Sequence, residues 1–329
     1  MFGKFMNNYY YGKSGKGDYR KDDLPRTRWQ LFFEMLRVRL AGLFRLNIIS
    51  VLAWLPALYV LMQLISNLFN VAGVVQSVQA DPAAASPEQL ELVNNLTGVY
   101  HSIIFRSLLF LAPAIALTGP FQAGMAYVTR NWARDEHAFV WSDFKDALLA
   151  NWKQALPISL ITGLVPLVVY VGYQFYGDLG RQSMLFVVPQ MLTAMLGLVW
   201  MLALVYFYPL LVTYKLGFGT LLRNGLLLAV GRLPQTVGVR LVMLVPSLIA
   251  LLVAWFMPPY TIYAMMALAG YYLLIGNALA RFVYASLSNA VFDKFINSRM
   301  EGVEVNRGLA KPEDLDDEEP EDEDEAEHS

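Results

Sequence analysis

Residues 241–280 read LVMLVPSLIALLVAWFMPPYTIYAMMALAGYYLLIGNALA, forty positions without one charged side chain. As a single α-helix the stretch would run about 60 Å at roughly 1.5 Å per residue, twice the roughly 30 Å of a bilayer's hydrocarbon core. It therefore folds back on itself. Pro258-Pro259 lies near its middle, and proline both lacks a backbone donor and restricts the residue before it, so the break is expected there. The two arms are the fifth and sixth of six expected spans, at about 238–257 and 261–288.

Working outward, residues 46–69 (LNIISVLAWLPALYVLMQLISNLF) are uncharged and long enough for one crossing. So are 107–129 and 154–176, and the longer uncharged run from Gln182 to Tyr214 centres on a span at about 188–212. Composition agrees: 56% of the 329 residues are hydrophobic and 16% are charged, against roughly 25% charged in soluble domains. With no cysteine, disulfide frameworks, thiolate metal sites and cysteine nucleophiles are excluded. The expected fold class is an all-α polytopic membrane protein with amphipathic interfacial helices.

Basic residues in short loops mark the cytoplasmic side, so they should alternate with each crossing. They do. Residues 1–45 carry ten Lys/Arg, 70–101 none, 130–153 four, the loop after Tyr176 only Arg181, 215–232 three and the Pro258-Pro259 turn none. Both termini are then expected in the cytoplasm. The net charge of −2 hides an uneven distribution, because residues 301–329 hold fourteen acids against Arg307 and Lys311.

Outside the spans, residues 1–45 read as a basic arm leading into an interfacial helix. Residues 70–101 read as an irregular outward excursion, and 298–329 as a disordered acidic tail. GKSGKG at 12–17 lacks the first glycine and the preceding strand of a phosphate loop. Loop helices are expected at about 142–154, with Ser142 as N-cap, and at 218–232. In the first, Trp141, Phe144, Leu148 and Trp152 recur at helical spacing.

Catalysis needs convergent titratable groups, and the uncharged spans contain no acid. His101, His137 and His328 fall in separate segments, without zinc-site spacing. No enzyme activity, cofactor, metal or nucleic-acid partner is expected. The polar features inside the spans are Thr118-Gly119-Pro120, where a helix is expected to kink, and Asn277 with Arg281 on one helix face. Gly119, Ala123 and Gly124 offer a small-residue face to a close neighbour. Packing is the favoured role for the first group, and snorkelling to the inner interface for Arg281.

The segment TGPFQAGMAYVTRNWARDEHAFVWSDFKDALLANWKQ at 118–154, with NAVFDKFIN at 289–297, resembles the YesL-like bacterial membrane proteins, a family known as domain of unknown function 624. Members are often encoded beside carbohydrate-uptake ABC transporters, which implies an accessory role there. The expectation that follows is a non-catalytic accessory or regulatory protein. It would present Arg134, Asp135, Glu136 and His137 to a permease or other membrane protein, with Trp141, Phe144 and Trp152 seating the loop helix in the interface. The alternative is a carrier or a protein binding lipid or a small solute through Thr118, Gly119, Pro120, Asn277 and Arg281.

Overall fold

The computed structural model describes residues 25–310; the expectations for the arm over 1–24 and the acidic run beyond 310 lie outside the described residues. Six helical segments are long and apolar enough to cross a membrane, and the described residues contain no strand.

The first helix, α1, runs unbroken over Arg28–Ala80, about 80 Å at 1.5 Å per residue. Thr27 caps it in a reciprocal capping box with Gln30, satisfying donors that the first turn leaves orphaned. The interfacial helix expected before residue 46 is its first part. The expected excursion over 70–101 is mostly helical too. Residues 70–80 contain no proline or charge to stop α1, and the chain turns only at 81–86. Helix α2 (Pro87–Asn94) then starts on a Ser86 capping box with Pro87 in its first turn.

The second span is two pieces, α3 (Leu96–Ala116) and α4 (Thr118–Trp132), joined through Leu117. Pro120 has no N–H to give the carbonyl of Ala116. Ser159 takes the vacant place, with its Oγ 2.8 Å from that oxygen. Ser159 sits on α5 (Ser142–Gly180), a 39-residue helix antiparallel to α3 and α4. The loop helix expected at 142–154 is thus continuous with the third span, because nothing between Trp152 and Pro157 stops it. Ser142 is its first helical residue rather than its cap. The acceptor at this end is Asp143, which receives the Phe139 N–H at 2.8 Å.

The pair crosses closely because small residues face each other. A Cβ on Gly163 would lie 2.7 Å from Ala112 Cα, and one on Gly119 would overlap both Ser159 Oγ and the Ala155 carbonyl oxygen. Without a hydrophobic drive between helices in lipid, such backbone approach supplies much of the packing energy.

Helix α6 (Val187–Thr213) is the central element: Leu202 to Leu211 are buried without a gap. Around them pack Ala123 and Ala126 of α4, Ala155 and Ile158 of α5, Tyr284 and Phe292 of the last helix, and Leu221 and Ala229 of α7 (Phe218–Gly231). A second cluster joins Leu43 and Leu46 of α1 to Met125 and Trp132 of α4 and to Phe282. Both clusters occupy the half of the bundle nearest the chain ends. In the other half, large apolar side chains such as Leu58, Met195 and Leu251 are exposed, as a lipid-facing surface requires.

The last two spans form the expected hairpin. Helix α8 (Leu233–Phe256) stops before Pro258, and α9 (Thr261–Tyr271) returns. The returning helix widens into a π-helical turn over Tyr272–Gly276 before continuing as α10 (Asn277–Phe295). Asn47 of α1 locks this irregularity. Its Nδ2 donates to the carbonyls of Tyr272 and Leu273 at 2.9 and 2.8 Å, and its Oδ1 accepts from Ala278 N at 3.0 Å.

Residues 298–310 are not part of a disordered tail. Asp293 gathers Arg28 Nη2 at 2.5 Å, Asn297 Nδ2 at 2.6 Å and Asn306 N at 3.1 Å, and Ala310 N donates to Pro25 O at 3.0 Å. The acidic run that motivates a disordered reading begins only at Glu313. The described ends therefore meet at one end of the bundle, as an even number of crossings demands.

Candidate functional site

The residues singled out at the Arg130–Trp152 loop separate. Helix α4 ends in a tight turn with Asp135 at φ 55° and a Glu136 N to Asn131 O bond of 2.9 Å, the left-handed helix stop that Asp tolerates. Arg134 is buried, 3.6 Å from Glu136, and Glu136 also holds Arg307 of the folded-back segment at 2.6 Å. That bond raises the affinity of Arg307 for its proton above the ordinary value, and partial burial pushes the Asp135 carboxyl up against the pull of Arg39. Arg134 and Glu136 thus spend their charges inside the fold. His137 and Trp141 are exposed, Trp152 is more than a third exposed, and Phe144 is buried beneath Gly124. The three aromatics expected, with Leu148, along one seam do not share a face: Phe144 points into the core while Trp141 and Trp152 are exposed.

The intramembrane candidates separate as well. Thr118 donates back to Ile115 O at the end of α3, 2.8 Å away, and Gly119 packs against α5, the role favoured for it. Asn277 and Arg281 instead line a cavity of about 330 Å³ among α1, α4, α6, α8 and α10. Arg281 does not snorkel to the interface. It lies within the bundle with Nε 2.6 Å from Gln122 Oε1, and its guanidinium carbon sits 4.6 Å from the centre of the Tyr208 ring.

Arg240 of α8 is the second cation. Its Nη1 donates to Tyr284 OH at 3.1 Å and its Nη2 to the Met201 carbonyl, and its guanidinium carbon is 4.9 Å from the Tyr284 ring centre. Arg281 also approaches that ring, at 6.0 Å. Two cations share one aromatic ring, and no carboxylate lines the cavity. Three buried nitrogens on its lining side chains, Trp54 Nε1, Arg240 Nε and Arg281 Nη1, have no hydrogen-bond partner.

Such an arrangement is costly unless something offsets it. On insertion scales an arginine deep in hydrocarbon costs roughly 2.5 to 3.5 kcal/mol, and an unmet buried donor about 1 to 3 kcal/mol. Cation–π contacts return about 2 kcal/mol each when desolvated. The remaining imbalance has one sign: the site holds donors and positive charge in excess of acceptors.

Sequence reasoning missed Gln122, Trp54, Tyr284 and Arg240. Arg240 adjoins the uncharged run, but α8 begins at Leu233, which places Arg240 about 10 Å along the helix at 1.5 Å per residue. The length of the preceding apolar stretch was the available signal.

Fold and site together define a polytopic α-helical membrane protein with a cationic cavity inside its bundle. Residues 98–173, the two-piece span α3–α4 with most of the antiparallel α5, match the family model described as Protein of unknown function, DUF624, which bears out the resemblance over that region. Gln122 lies within the match; Arg240 and Arg281 lie beyond it. No curated protein and no solved structure matches the chain.

Proposed function

We propose that this protein binds an anionic ligand within the membrane, as a carrier or lipid-handling protein, and that Arg240 and Arg281 hold the anion. The observation that carries the reading is the pair of cations beside unmet N–H donors in a cavity without a carboxylate. Guanidinium groups present a planar fork of donors suited to carboxylate and phosphate. Ligand binding stabilises a folded state by RT ln(1 + [L]/Kd), about 2.7 kcal/mol at a hundredfold excess over Kd. The purified protein in a neutral detergent is therefore expected to melt later in the presence of an anion from a panel of phosphate, dodecyl phosphate and dodecanoate. Arg240→Gln with Arg281→Gln should remove the gain. Indifference of the natural protein to every anion would end the proposal. The basic loops described above support a cytoplasmic side for the chain ends.

The second reading is the accessory role toward a carbohydrate importer that the resemblance implies. What favours it is an aromatic edge, Phe139 at 61% and Trp141 at 63% exposed, standing beside the buried Phe144. A neighbouring membrane protein would cover it. Phe139→Ser with Trp141→Ser should then release a permease that co-purifies with the natural chain in mild detergent. Retention of that permease by the variant, or purification of the natural chain alone under conditions that preserve known transporter complexes, would count against this role.

A further inference from the structure

The cavity's mouth names the kind of anion. Helix α8 packs chiefly on α9 and touches the body of the bundle at few points, so the hairpin leans against the core and leaves the cavity between them. Leu198 of α6 and Leu244 of α8 line the cavity and are 61% and 47% exposed. Both belong to membrane-crossing helices, so what they are exposed to is hydrocarbon. The opening is lateral.

Volume points the same way. About 330 Å³ is some ten times the roughly 30 Å³ that a water molecule occupies in the liquid, more than a bare phosphate or carboxylate fills. The polar groups gather at Gln122, Arg240 and Arg281, while leucine and methionine supply the wall toward α6 and α8. A small soluble anion entering by this route would first have to cross hydrocarbon without its water, which is prohibitive for a charge. An amphiphile already in the bilayer meets no such barrier.

Resting on the anion-binding reading above, we infer that the ligand is a lipid-like molecule with a phosphate or carboxylate head. It enters sideways between α6 and α8, places its head at Arg240 and Arg281, and leaves its chain among the surrounding lipid. Because Arg240 stands about 10 Å along α8 from its start, at 1.5 Å per residue, the head must sink below headgroup level to reach it, while its chain stays in the hydrocarbon.

The test compares three probes on the natural protein in dodecyl maltoside: dodecyl phosphate, inorganic phosphate and dodecanol. Dodecyl phosphate is expected to raise the melting temperature by several degrees, and the other two to leave it unchanged. Leu244→Trp, which narrows the mouth while both arginines are retained, should weaken the apparent affinity for dodecyl phosphate roughly tenfold or more, equivalent to about 1.4 kcal/mol. Arg281→Gln should abolish the shift. Should Arg281→Gln fail to fold, Leu244→Trp still decides the matter, and an undiminished shift there overturns the lateral route. An equal shift with inorganic phosphate overturns the amphiphile while leaving the anion site standing. A shift with dodecanol as large as that with dodecyl phosphate, or no shift with any probe, overturns both.

Discussion

Replacing Asn47 by leucine is expected to destabilise the protein by roughly 2 to 5 kcal/mol, since interhelical hydrogen bonds in membranes average about 0.6 kcal/mol and buried groups left unmet cost about 1 to 3 kcal/mol each. Leucine matches the shape of asparagine, so the loss isolates hydrogen bonding from packing. Three backbone groups on the last helix would lose their partner at once: the carbonyls of Tyr272 and Leu273 and the N–H of Ala278. No water is at hand in the bundle interior to replace it. Asn47→Asp, neutral in this buried place, keeps an acceptor for Ala278 and one O–H for only one of the two carbonyls, and should fall between the two. The measurement is chemical or thermal unfolding in detergent, with amide exchange at Ala278 as the local readout. Unchanged stability and unchanged exchange in Asn47→Leu would show that the clamp contributes nothing.

Gly119→Val is expected to prevent α4 from seating on α5. Even a Cβ at this position overlaps the Ala155 carbonyl oxygen, and backbone cannot step aside as a flexible side chain can. Gly119→Ala should therefore cost at least the 1 to 3 kcal/mol typical of an overpacked core, and the valine more, reducing the yield of folded, monodisperse protein. Gly270→Ala supplies the contrast. A Cβ there meets nothing within 4 Å, and relieving glycine of its excess chain entropy inside a helix gains about 0.5 to 1 kcal/mol. Equal tolerance at the two positions would refute the close crossing.

Much of the architecture was legible from where charges are missing. Runs without charge set the number of spans, and Pro258-Pro259 set the fold-back, because both reflect the solvent rather than any particular neighbour. The helix ends were less legible. Nothing before Asp81 tells α1 to stop once it has left the hydrocarbon, so span length and helix length differ. Pro120 announced a vacant carbonyl at Ala116, but its donor, Ser159, is 43 positions away and carries no local pattern. Asn47 is harder still. It looks like one polar residue at the edge of an apolar run, and its partners lie more than 220 positions on.

The site was half legible for the same reason. Arg281 stood out as a charge next to a span, and Asn277 followed by helical spacing. Thr118, Gly119 and Pro120 drew notice because they disturb a helix, yet that disturbance serves the fit against α5. Gln122, one turn further along, meets Arg281 instead, and only the way α4 lies over α10 distinguishes the two.

The widened turn at Tyr272–Gly276 also fixes which way the last helix looks. A π-type turn accommodates one more residue than a regular spiral of equal rise, and each residue of an α-helix sweeps about 100° around the axis at 3.6 per turn. Everything from Asn277 onward is thus rotated by about that angle against α9 relative to an uninterrupted helix. The inward aim of Arg281 is accordingly a matter of phase, decided by the length of the chain between Tyr271 and Asn277 and held there by an amide on the first helix.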